Sequence, residues 1–138
     1  MNLNKTFLTL GLAAALLQMP ASSFAQNAGG NRQNPLLAKS SLPFGAPDFS
    51  KIQESDYLPA IETAIKEQRA NIQKIVNNKK KPTFQNTILA YENSGMLLEH
   101  VSSVFFGLTS AHKTPGIADT QKKVMPLLTD LDNEISFN

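Results

Sequence analysis

Cysteine is absent from the chain, so it can form neither a disulfide nor a thiolate metal site in any compartment. A lipid anchor on an N-terminal cysteine is excluded for the same reason. Charge of one sign is also scarce: 13 Lys and Arg stand against 11 Asp and Glu. Lys5 is the one charged residue among the first 25, so the remainder is close to neutral. Binding to a nucleic acid requires a dense basic face that displaces phosphate counterions, and interleaved charges of both signs provide none. No apolar run approaches the roughly 20 residues needed to cross a bilayer. With 138 residues there is room for about one small domain, so a large multi-domain enzyme is not present whole. Hydrophobic residues at 41% and charged residues at 17% still suffice for a folded core.

The longest apolar run, residues 7–17 (FLTLGLAAALL), follows Lys5 and precedes Pro20 and Ser23-Phe24-Ala25. A short cationic start, an apolar stretch of this length and small residues at two alternate positions describe a secretory signal peptide. Residues 1–25 are expected to be that signal, cleaved before Gln26, and the product is expected to be exported to the periplasm or beyond. Residues 26–34 (QNAGGNRQN) have no hydrophobic face to offset the entropy of ordering, and read as a flexible linker.

Residues 35–138 read as all-α. Prolines 35, 43 and 47 keep the first part extended, and Leu36, Leu37, Leu42, Phe44 and Phe49 are expected to insert against a helical body. A first helix should begin near Ser55 or Asp56, tolerate Pro59 in its first turn, and end between Asn77 and Pro82. Its apolar stripe is Leu58, Ile61, Ile65, Ile72, Ile75 and Val76. A second, long helix is expected over residues 83–111, with Phe84, Ile88, Tyr91, Met96, Leu97, Leu98, Val101, Val104, Phe105 and Leu108 as apolar positions. Gly95 and Gly107 inside it each cost about 1 kcal/mol relative to alanine and so signal a close neighbour or a bend. Thr114-Pro115 reads as a cap and first residue of a third helix carrying Ile117, Val124, Leu128, Leu131 and Ile135, kinked before Pro126.

Little in the polar residues suggests chemistry. His100 and His112, the two histidines, lie about 18 Å apart along a helix and cannot share a metal there. Ser94, Ser102, Ser103 and Ser110 have no histidine and acid at a spacing that makes a triad. Lys79-Lys80-Lys81 reads as a solvated loop near the negative end of a helix dipole, with acidic-peptide binding as the functional alternative. Phe105-Phe106 reads as core, with a channel lining as the alternative.

The residues nonetheless resemble a family. Asn34-Pro35-Leu36-Leu37, Leu42-Pro43-Phe44, Ala46-Pro47-Asp48-Phe49 and Tyr57-Leu58-Pro59-Ala60 occur in the order seen near the start of the dipeptidyl carboxypeptidase (peptidyl-dipeptidase) branch of the thimet oligopeptidase family. Residues 82–90 (PTFQNTILA), then Glu92, Ser94-Gly95, Leu97-Leu98, Val101, Val104-Phe105-Phe106 and Ala111-His112, are similar to that family's N-terminal helical signature. The resemblance implies a helical, two-lobed zinc metallopeptidase that releases C-terminal dipeptides from oligopeptides. It also implies an H-E-x-x-H motif, whose spacing sets two imidazoles on one helix face for Zn²⁺ and leaves the glutamate to activate water. Neither His100 nor His112 lies in such a motif, so no catalytic, cofactor-binding or metal-ligating residue is carried over. The chain is therefore expected to be a truncated N-terminal piece, inactive and marginally stable alone, whose partner is the missing catalytic domain. The rival reading is a non-enzymatic helical module for peptide binding or docking. The branch that cleaves internal bonds in the cytoplasm fits less well with a signal peptide and the Asn34-Pro35-Leu36-Leu37 start.

Overall fold

The computed structural model describes residues 32–137. The expected signal peptide at 1–25 and most of the expected linker lie outside them. Four α-helical elements are present among the described residues: α1 (Glu54–Val76), α2 (Ala90–Glu92, a single turn), α3 (Met96–Ala111) and α4 (Pro115–Ser136). Tight 3-10 turns occur at Pro35–Leu37, Pro43–Gly45 and Asn93–Gly95, and a π-helical turn at Phe84–Leu89. The all-α reading holds, with three long helices among the described residues.

α1 is the centre, and both α3 and α4 pack on it. Cross-links set their directions. The Asn71 carboxamide near the end of α1 donates to the Ser94 carbonyl just before α3, while Tyr57 near the start of α1 stacks on Phe105 late in α3 with ring centroids 5.3 Å apart. α3 therefore runs against α1. Thr114 reaches Glu54 at one end of α4 and Arg69 binds Glu134 at the other, so α4 runs with α1.

The core follows from helical spacing. Tyr57, Ala60, Ile61, Ala64, Ile65 and Ile72 are buried on α1; Leu98, Val101 and Phe105 on α3; Ile117, Val124 and Leu131, seven residues apart, on α4. Each large side chain removed from water contributes about 1.5–3 kcal/mol. The expected α1 stripe omitted Ala60 and Ala64, whose small side chains allow a central helix to carry two neighbours. It also included Val76, which is exposed beside the helix end.

Several expectations need correction. α1 starts at Glu54, so Pro59 is its sixth residue, in the second turn; the backbone bond it cannot donate would have gone to Ser55, which faces water. In the lead, Leu36 is buried and Leu37 half-buried, but Leu42, Phe44 and Phe49 are exposed. Phe44 and Gly45 take left-handed backbone, φ 60° and 69°, and this turn throws the Phe44 ring into solvent. Arg32 and Asn34, assigned to the flexible linker, are hydrogen-bonded to the start of α1.

The expected long second helix is broken. Thr83 and Asn86 cap each other reciprocally, Thr83 Oγ1 accepting from the Asn86 N–H at 3.2 Å and Asn86 Oδ1 from the Thr83 N–H at 2.8 Å. The chain then takes a π-helical turn, one α turn, and a 3-10 turn at Asn93-Ser94-Gly95, three residues that all disfavour helix interior. A Cβ on Gly95 would sit 2.8 Å from the Gln68 amide nitrogen, so this glycine serves both a bend and a close approach. Gly107 is open on all sides and serves neither. Thr114 caps α4 as expected, accepting from the Ile117 N–H at 3.1 Å, with Pro115 as first residue. α4 continues through Pro126, where both Pro126 and Lys122, whose carbonyl loses its partner, face solvent.

Candidate functional site

Three groups of polar residues border the helical core. The first is a clamp at the start of α1. The Asp56 carboxylate accepts from the Arg32 guanidinium and, at 2.7 Å, from the Gln53 N–H, while the Asn34 carboxamide donates to the Asp56 carbonyl at 2.8 Å. Burial works to raise the Asp56 pKa, but hydrogen bonds from Arg32 and Gln53, with the Arg32 charge, outweigh it and hold the carboxyl below its ordinary range. The neighbouring Tyr57 hydroxyl is pushed up, first by burial and then by the Asp56 and Glu54 carboxylates. Sequence reasoning missed this clamp because Arg32 and Asn34 carry no hydrophobic pattern.

The second group joins the far ends of α1 and α4. Arg69 makes a two-pronged bond with Glu134, Nε to Oε2 at 2.6 Å and the second nitrogen to Oε1 at 2.8 Å, over Ile72, Leu131 and Ile135. The third is a cleft of about 400 Å³ between the last turns of α1 and residues 86–94, bordered by Asn71, Lys74, Asn78, Asn86, Asn93 and Ser94. The Ser94 hydroxyl is buried without a hydrogen-bond partner.

His100 is exposed on α3, and His112 is exposed at its C-terminal cap. Among the described residues no three or more His, Cys, Asp or Glu side chains gather where they could hold a metal ion. A zinc ion of the kind the family resemblance implies therefore does not fit the donors present, and no reaction step can be routed through one here. None of the four serines singled out from the sequence is paired with a base: the Ser94 and Ser102 hydroxyls reach no partner, Ser110 donates to the Phe106 carbonyl, and Ser103 faces solvent. Phe105 is fully buried between Tyr57 and Phe106, in keeping with a core role. Lys79, Lys80 and Lys81 are exposed after α1. No helix among the described residues is long and apolar enough to cross a membrane.

No protein-family model matches the chain. Individual relatives do. The chain is 41% identical over 105 residues to "Dipeptidyl carboxypeptidase" of Salmonella typhimurium, covering 76% of this chain and 15% of that protein. Identity and coverage are the same for "Dipeptidyl carboxypeptidase" of Escherichia coli, and 28% over 97 residues for "Oligopeptidase A" of Escherichia coli, covering 70% of this chain and 14% of the relative. A helical body matched over three quarters of its length to proteins with these names falls in the class of the peptidases. More particularly, the chain belongs to the family of the dipeptidyl carboxypeptidases, and it spans about 15% of the length of the two relatives so named.

Proposed function

We propose that this chain supplies the N-terminal helical part of an exported zinc metallopeptidase that removes dipeptides from the C-termini of oligopeptides, and that it does not itself carry the reacting groups. The observation that carries this reading is 41% identity to dipeptidyl carboxypeptidases over 105 residues that make up only 15% of those proteins. The signal-like residues 1–25 support export, before a cleavage at Ala25. In this reading zinc, its ligands and the water-activating glutamate come from residues outside the 138, and the helices described here form an outer wall. Oligopeptides are the substrates, and the catalytic part of the enzyme is the main partner.

The test uses the product of the full reading frame. Incubated with an N-terminally blocked oligopeptide, it should release dipeptides stepwise from the C-terminus, and a chelator should stop the release. Cleavage at internal bonds alone would contradict the dipeptidase reading. A reading frame without H-E-x-x-H, giving a product that binds peptides and cleaves none, would favour the docking module instead.

A further inference from the structure

A separate cavity, of about 220 Å³, lies between the proline-rich lead and α3, which contributes His100 to its lining. The Ser40 hydroxyl bends the lead back on itself, donating to the Ala46 carbonyl and accepting from the Leu42 N–H at 3.1 Å. Residues 39–41 and 47–52 are thereby brought to the same cavity. Its apolar lining includes the buried Leu36 and the half-buried Pro35, Pro47 and Ile52. The two prolines have fixed φ angles and no N–H, so this part of the wall is preformed and has no backbone donor to satisfy. Two cations and one acid line the same space. Lys51 is paired with Asp48 at 2.8 Å, whereas Lys39 forms no ion pair among the described residues. With His100 neutral, the cavity therefore carries one uncompensated positive charge, and the Ser41 hydroxyl and the His100 ring add hydrogen-bonding groups to its lining.

We infer that this cavity binds a small monocarboxylate with a short aliphatic tail. The single net charge selects a monoanion over a dianion, and the aliphatic lining selects a ligand with an apolar end over a bare inorganic ion. A space this small falls below the roughly 300 Å³ at which sites for drug-sized molecules begin, so the tail is about the size of one amino-acid side chain. The rim argues that the cavity faces solvent. Lys39, Ser41, Lys51 and His100 are all exposed, and covering the Lys39 ammonium without a partner would cost far more than covering an apolar patch. This inference does not rest on the peptidase reading, because none of the cavity's residues is assigned a part in cleavage.

The probe is isovalerate, titrated into the isotope-labelled 138-residue chain and into the product of the full reading frame. Methyl signals of Leu36 and Ile52 and ring signals of His100 report the site, and they should shift saturably in both. Isobutylamine, which has the same tail and the opposite charge, should leave them in place, and inorganic phosphate should bind more weakly than isovalerate. Lys39→Gln should weaken isovalerate by about two- to fivefold. Asp48→Asn, which keeps an acceptor for Ser50 but frees the Lys51 charge, should strengthen it by a similar factor. Opposite responses of two variants report charge, which a general loss of structure does not produce. No saturable shift, an equal response to isobutylamine, or phosphate binding as tightly as isovalerate overturns the inference. Binding that is present in the 138-residue chain and lost in the full product also overturns it, because the cavity is then covered in the whole protein.

Discussion

Asp56 closes the start of α1 on three sides: it caps the helix through the Gln53 N–H, receives the Arg32 guanidinium, and offers its carbonyl to Asn34. A carboxyl held below its ordinary value of 3.8 in the folded chain binds its proton more tightly when unfolded. Its stabilisation is therefore present above that value and lost as the pH falls through the folded pKa. Chemical denaturation at neutral pH should show Asp56→Ala weaker by about 1–2 kcal/mol. Asp56→Asn, which keeps an acceptor for the cap, should lose less and flatten the acid dependence; an unchanged acid limb would contradict the clamp. Phe44 is a different case. It takes left-handed backbone and its ring packs on nothing. Phe44→Asn should leave stability unchanged or raise it by up to about 1 kcal/mol, since asparagine tolerates that conformation. A clear loss would mean that the ring makes a contact in solution. Phe105→Ala opens the core between Tyr57 and Phe106 and should cost about 3–5 kcal/mol in the same assay.

Among the elements, α1 and α4 were legible in the sequence because their apolar residues keep one helical period and their ends carry caps. The Thr114 cap and the Ile117, Val124 and Leu131 positions are where the spacing places them. Residues 83–95 were not legible, because a period-based reading extends one helix through them. The π-helical turn shifts the register, and the 3-10 turn at Asn93–Gly95 tightens it again before α3. Apolar residues before the break, Phe84, Ile88 and Tyr91, are exposed, while Leu98, Val101 and Phe105 after it are core. This element has few buried side chains and should open locally before the rest. Hydrogen exchange should show amides of residues 84–95 exchanging faster than those of residues 98–108, and equal protection would contradict the break. The proline-rich lead was half legible: proline forbade a helix, but nothing in the composition distinguished Leu36, which turns in, from Leu42 and Phe44, which turn out.

At the scale of the molecule, the kinship was readable and the reaction was not. Short runs such as residues 82–90 identify a family whatever they contact, whereas zinc chemistry needs ligands at set spacing, and His100 and His112 lack it. The folded unit also leaves Phe84, Met96 and Phe137 largely in water, together with Phe49 of the lead. A small helical body with this much apolar surface exposed should melt broadly and at modest temperature as a monomer, and a sharp cooperative transition followed by circular dichroism would contradict that. The proposed function assigns these residues to the helical part of a zinc peptidase and not to its metal centre. Titration of the purified chain with Zn²⁺ in a calorimeter tests it most directly: the account predicts no tight stoichiometric uptake, and one zinc held tightly per chain would contradict it.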